Sequence, residues 1–131
     1  MSETGVIRKN WRRCIRVALA YPNRYFLGMS NLGFQTLYSL LNSIDDVACE
    51  RVFLPEDDQT RLKTIESGWR LHDADCIAFS ISFEQDYLHL LRILEKAGIP
   101  LLASERDESH PLIIAGGAAC LINPEPIAPF T

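Results

Sequence analysis

What this chain lacks narrows its chemistry first. Its four cysteines, Cys14, Cys49, Cys76 and Cys120, stand far apart with no C-x-x-C or C-x-x-x-C-x-x-C spacing. That excludes a complete zinc or iron–sulfur site within this stretch and leaves reduced, mostly buried thiols as the expectation. No apolar run approaches the ~20 residues of a membrane-spanning helix, and the N-terminus is polar and basic where a signal peptide would be apolar, so the cytoplasm is the expected compartment. Positive charge is in deficit: 13 Lys and Arg stand against 17 Asp and Glu, for a net charge of −4 and a pI near 5.3. Such a balance argues against bulk nucleic-acid binding and against a nucleic-acid partner. The one basic concentration, Arg8, Lys9, Arg12, Arg13 and Arg16, precedes the first apolar run and reads as a solvated or domain-contacting face. Neither G-x-G-x-x-G nor a P-loop occurs, which removes the fingerprint of a free-standing flavin or nucleotide domain. Histidine is scarce. His72, His89 and His110 show no i, i+4 partner or carboxylate pattern and read as surface or packed side chains. No Ser/His/Asp or Cys/His constellation and no repeat emerges.

What is present is the rhythm of a parallel α/β sheet. At 131 residues, 47% hydrophobic and with mean hydropathy near zero, the chain suits one domain with one core. Ile15 to Tyr21 is an aliphatic run closed by Pro22-Asn23, as a central strand buried on both faces requires. Residues 1–14 then form a polar, basic lead-in, and 15–131 the domain. After the loop NRYFLGMSN, the spacing of Leu32, Leu37, Leu40 and Leu41 predicts a helix from about Leu32 to Asn42, capped by Ser30 or Asn31. Val47, Val52 and Phe53 predict a second strand, which polar Glu50 and Arg51 place near the sheet edge. Asp57 to Ser67 reads as a short helix stopped by Gly68. CIAFSIS is the third strand, and Leu88, Leu91, Ile93 and Leu94 make an amphipathic helix of Gln85 to Ala97, stopped by Gly98. IPLLAS reads as a hairpin-like excursion, because SERDESH is too short for a crossover helix. Pro111 to Ala115 is the fourth strand, and Pro124, Pro126 and Pro129 break any long helix beyond it.

Ligands of open parallel sheets sit where strands end in loops. At those exits the residues admit two readings each. Gly28 to Gly33 can present backbone N–H groups to an anion, or can simply shape a turn and cap a helix. Gly116-Gly117 can admit a flat ligand close to the backbone, or can form a plain strand-to-loop turn. Ser80, Ser82 and Glu84 share one face of an extended strand, where they can bond a ligand's polar edge or cap the following helix.

The segments YPNRYFLGMSNLGFQTLYSLLN, ERVFLP, IAFSISFEQDYLHLLRILEKAGIPL and PLIIAGGAACLINPEPIAPF, in that order across nearly all of Val17 to Phe130, resemble the N-terminal region of cobalamin-binding-domain radical S-adenosylmethionine (SAM) proteins. More narrowly they resemble iron–sulfur oxidoreductases in which a cobalamin-binding-like domain precedes a radical SAM barrel. The resemblance implies a Rossmann-like, flavodoxin-type three-layer α/β domain with a mainly parallel sheet of order 2-1-3-4, and a final strand expected after Thr131 and thus truncated here. It implies an accessory role for this stretch. The three-cysteine motif, the [4Fe–4S] cluster and the S-adenosylmethionine site of an oxidoreductase or transferase are expected downstream, in a radical SAM domain of the same chain. The D-x-H-x-x-G signature of cobalt-ligating histidine is absent at both HDADC and LHLLR, so any cobalamin would bind without a histidine ligand from this domain. By position, the residues carried over as cofactor-binding are Asn23, Gly28, Ser30, Ser80, Ser82, Gly116 and Gly117. The rival expectation is a scaffold or interaction domain that keeps the fold without binding cobalamin.

Overall fold

The first apolar run forms β1 (Ile15–Tyr21), buried from Val17 onward as a strand covered on both faces must be. The computed structural model describes residues 13–55 and 62–131; of the basic cluster, Arg8, Lys9 and Arg12 lie outside the described residues, as does Trp11. The remaining elements are α1 (Tyr25–Met29), α2 (Leu32–Asn42), β2 (Val47–Phe53), β3 (Cys76–Ser80), α3 (Asp86–Lys96), β4 (Leu112–Gly116) and α4 (Ala118–Ile122). Short 3₁₀ turns occupy Leu71–Asp73, Ala103–Glu105 and Glu125–Phe130. All strand pairs are parallel, in the order β2-β1-β3-β4. This is an α/β Rossmann-like fold.

Register explains the layering, because alternate residues of each strand point to opposite faces. On one face Ala18, Ala20, Ile77 and Phe79 pack with Leu90, Ile93 and Leu94 of α3. On the other, Val17, Leu19, Tyr21, Cys49 and Phe53 pack with Phe34 and Tyr38 of α2. Helix α3 ends in a Schellman motif: the Gly98 amide donates to Glu95 O and the Ile99 amide to Leu94 O, with Gly98 at φ 73°.

Several expectations need correction. The loop after β1 contains helix α1; of the two expected caps, Asn31 is the one that caps α2, accepting from the Phe34 amide at 2.9 Å. Strand β2 does lie at the edge, but Glu50 and Arg51 are buried, and their polarity has another cause. The turn 64–69 wraps the edge: the Ile65 amide donates to Arg51 O, Glu66 takes both the Arg51 amide (3.0 Å) and its Nε (2.8 Å), and Glu50 accepts from Thr64 and Ser67. The expected helix Asp57–Ser67 lies partly outside the described residues; its described part is this turn, closed by an antiparallel bridge between Lys63 and Arg70. IPLLAS supplies no strand and leads into the 3₁₀ turn at Ala103. Of the thiols, only Cys49 is buried; Cys14, Cys76 and Cys120 are half-buried. Among the described residues no helix is long and apolar enough to cross a membrane.

Candidate functional site

At the C-terminal ends of β3 and β4, where the backbone of a parallel sheet turns away into loops, the structure leaves a cavity of about 580 Å³. Its walls are apolar, from Leu19, Leu37, Ala78 and Ile114, and one side is polar, from Asn31, Ser80 and Ser82. The size falls in the ordinary range of small-molecule pockets, roughly 300–1,000 Å³. Ser80 and Gly116 are direct cross-strand partners, which sets the hydroxyl beside the glycine at the rim.

The two glycines serve different ends. A Cβ on Gly116 would meet nothing within 4 Å, so this residue opens volume in the cavity. Gly117 has φ 103°, and a Cβ there would lie 2.5 Å from the backbone oxygen of Ile81. Its lack of a side chain lets β4 close on the exit of β3, where the Ile81 amide donates to Gly116 O at 2.8 Å. The hydroxyl of Ser82 is held from two sides. Asn31 Oδ1 already accepts from Phe34, which fixes its amide so that Nδ2 donates to Ser82 Oγ at 3.1 Å; Tyr21 Oη lies 3.3 Å from the same oxygen. With Asn31 donating, one proton of the Ser82–Tyr21 hydroxyl pair remains for an acceptor.

Of the residues carried over from sequence, Ser80, Ser82, Gly116 and Gly117 line this one cavity, whereas Asn23, Gly28 and Ser30 do not. Gly28 packs in α1 against aromatic rings, since a Cβ there would meet Phe53 Cε1 at 2.4 Å. Ser30 Oγ donates to Phe26 O at 2.7 Å. Asn23 Nδ2 donates to Oδ1 of Asp86, a fully buried carboxylate at the start of α3. That same oxygen lies 3.0 Å from His89 Nδ1, which is also 2.9 Å from Pro22 O. A carbonyl only accepts, so Nδ1 carries the proton. His89 thus has a carboxylate partner, contrary to expectation; the i, i+3 spacing from Asp86 to His89 on a helix is the sequence signal for it.

Thiol and guanidinium environments elsewhere are those of burial. The Cys49 thiol is pushed up to about 12 by desolvation and the neighbouring Glu66 carboxylate, and Cys76 is raised by burial and Asp75. A second cavity of about 490 Å³ opens at the opposite end of the sheet, between Asp75, Arg106, Asp107 and His110, with Arg106 bonded to Phe130 O at 2.7 Å. No cluster of three or more His, Cys, Asp or Glu able to hold a metal occurs among the described residues.

Against this geometry the similarities to known proteins are informative. The chain is 25% identical over 114 residues to the uncharacterized protein MJ0966 of Methanocaldococcus jannaschii, in an alignment covering 87% of this chain and 22% of that relative. It thus spans well under a third of the relative's length. No solved structure matches. Residues 33–131 match the family of N-terminal domains of radical SAM proteins. A match over that much of the chain, on an α/β Rossmann-like fold, means that the chain belongs to the radical SAM protein N-terminal family.

Proposed function

We propose that this is an accessory domain that binds cobalamin for a radical SAM oxidoreductase or transferase, with catalysis in a downstream domain that carries the [4Fe–4S] cluster and S-adenosylmethionine. The observation that carries the proposal is the cavity at the strand ends, with Gly116 open at its rim and the Ser80 and Ser82 hydroxyls on its polar side. The donor set fits a planar, largely apolar group with a polar edge. The residues that line the cavity from α2, β3 and β4 would hold the cofactor at the strand ends. Leu19, Leu37 and Ile114 would exclude water, and Ser82, oriented by Asn31, would donate to an acceptor at the edge. When bound, cobalamin supplies a cobalt centre that can carry a methyl group.

A scaffold reading, in which the fold is kept without the cofactor, is favoured by one observation: Gly117, the second of the paired glycines, is required by contact with Ile81 whether or not a ligand binds. The experiment that separates them is retention of hydroxocobalamin by the anaerobically purified full-length protein, read by visible absorbance after gel filtration. Gly116→Leu adds bulk at the cavity's lining, at a position where a Cβ meets nothing within 4 Å. Stoichiometric retention by the wild type, lost in this variant, supports the cofactor reading; no retention by folded, cluster-loaded protein leaves the scaffold.

A further inference from the structure

The polar side of the strand-end cavity offers hydrogen-bond donors without charge. Ser82 Oγ accepts from Asn31 Nδ2 at 3.1 Å and lies 3.3 Å from Tyr21 Oη. Tyr21 is buried and stands outside the cavity lining, whereas Ser82 belongs to it, so Tyr21 donates inward and both lone pairs of Ser82 Oγ are taken. The Ser82 hydroxyl is thereby a donor only, and its proton is left for whatever fills the cavity. The Ser80 hydroxyl, on the same side, can both donate and accept.

None of the residues that line the cavity is charged. Backbone amides around it are spent as well: Phe34 donates to Asn31 Oδ1, Gln35 to Asn31 O, Ile81 to Gly116 O and Ala119 to Ile81 O. An anion entering here would shed its hydration shell with no cation to replace it, which disfavours a carboxylate or a phosphate. An uncharged carbonyl gives up far less water and still satisfies the Ser82 donor. A wholly apolar group would leave that hydroxyl unpaired beneath it, which is also penalised. The walls formed by Leu19, Leu37 and Ile114 favour an apolar body behind the polar head.

We propose that the cavity is selective for an uncharged carboxamide on an apolar body, the carbonyl accepting from Ser82 Oγ and the N–H donating to Ser80 Oγ, and that it rejects the corresponding carboxylate. The proposal deepens the reading above and rests on it only in taking the cavity as a ligand site; it holds whichever molecule supplies the group. Ser82 sets the selectivity, and Asn31 and Tyr21 act through it as positioning residues. Asn31 serves twice, capping α2 through Oδ1 and turning Ser82 into a donor through Nδ2.

The test is saturation-transfer difference NMR on the full-length protein, free of cobalamin, with benzamide and benzoate at equal millimolar concentration and neutral pH. The two probes share a ring and a planar head and differ in charge. The expected result is transfer to benzamide several-fold stronger than to benzoate, reduced to background by Gly116→Leu. Ser80→Lys brings a cation to the cavity and should raise the benzoate signal above that of benzamide, a gain that a misfolded protein cannot produce. Equal or stronger transfer to benzoate in the wild type overturns the proposal. So does benzamide transfer that survives Gly116→Leu, a preference that Ser80→Lys leaves unchanged, or no transfer to either probe, which means that the cavity takes no such group. Failure of the cofactor reading shows separately, as absent hydroxocobalamin retention with the benzamide preference intact.

Discussion

Adjacent glycines at the end of β4 carry unequal loads. Gly117 combines a left-handed φ with backbone atoms of Ile81 where its Cβ would stand, whereas Gly116 faces open space. Gly117→Ala is therefore expected to destabilise the protein by roughly 2–4 kcal/mol, through strain and overpacking. Gly116→Ala should change stability by less than about 1 kcal/mol. Urea midpoints compare the two, and equal midpoints would contradict the geometry. Cys49 gives the pH dependence at this scale. Its thiol stays protonated in the fold up to about 12, while the unfolded chain ionises near the ordinary value of 9.0. Between these values the native state holds the extra proton, so stability falls as pH rises, by about 1.4 kcal/mol per pH unit for this group. Cys49→Ala should flatten that part of the stability profile above pH 9 relative to the wild type. A thiol held protonated is also a poor nucleophile, so Cys49 should resist iodoacetamide until the protein unfolds.

At the scale of elements, periodicity was a sound guide wherever one face of a segment simply meets the core. Strands β1 and β2, helix α2 and helix α3 stand where their apolar spacing puts them, to within a residue. The same reasoning misread Glu50 and Arg51, because a polar residue in a strand signals solvent only if no other segment covers it. Here residues 64–69 return and bury both, with Arg51 paired to Glu66 at 2.8 Å and its guanidinium 4.5 Å above the Tyr38 ring. Removing one partner strands the other charge in the interior. Glu66→Ala should thus cost about 3–5 kcal/mol, measured by thermal unfolding, while Asp73→Ala, at the exposed Arg70–Asp73 pair, should cost at most about 1 kcal/mol. Gly98 was legible as a helix stop because a C′ glycine is a local device; Gly98→Ala should cost about 1 kcal/mol.

At the scale of the whole molecule, strand β4 leaves one face of the sheet uncovered: Leu112 is 65% exposed and Ile114 48%. An open apolar strand at a sheet edge invites pairing between copies. The isolated 131-residue chain should therefore self-associate with rising concentration in sedimentation, and Leu112→Lys should lower that tendency. The site shows how far sequence reaches. Ser80, Ser82, Gly116 and Gly117 were identifiable as strand exits because parallel sheets put loops at one end. What gathers them around one cavity, and leaves Asn23, Gly28 and Ser30 elsewhere, is packing: Phe53 fills the space beside Gly28, and Asp86 draws Asn23 toward α3.

The sequence by itself determined the alternation of strands and helices, the central place of β1, the stop at Gly98 and the lack of a local metal motif, all consequences of side-chain period, local backbone preference and residue spacing. Only the tertiary structure decided which polar residues are buried, that Asp86 orients His89, and that Gly117 is held against Ile81 while Gly116 stays open. Those depend on contacts between residues distant in the chain, which one-dimensional patterning does not encode.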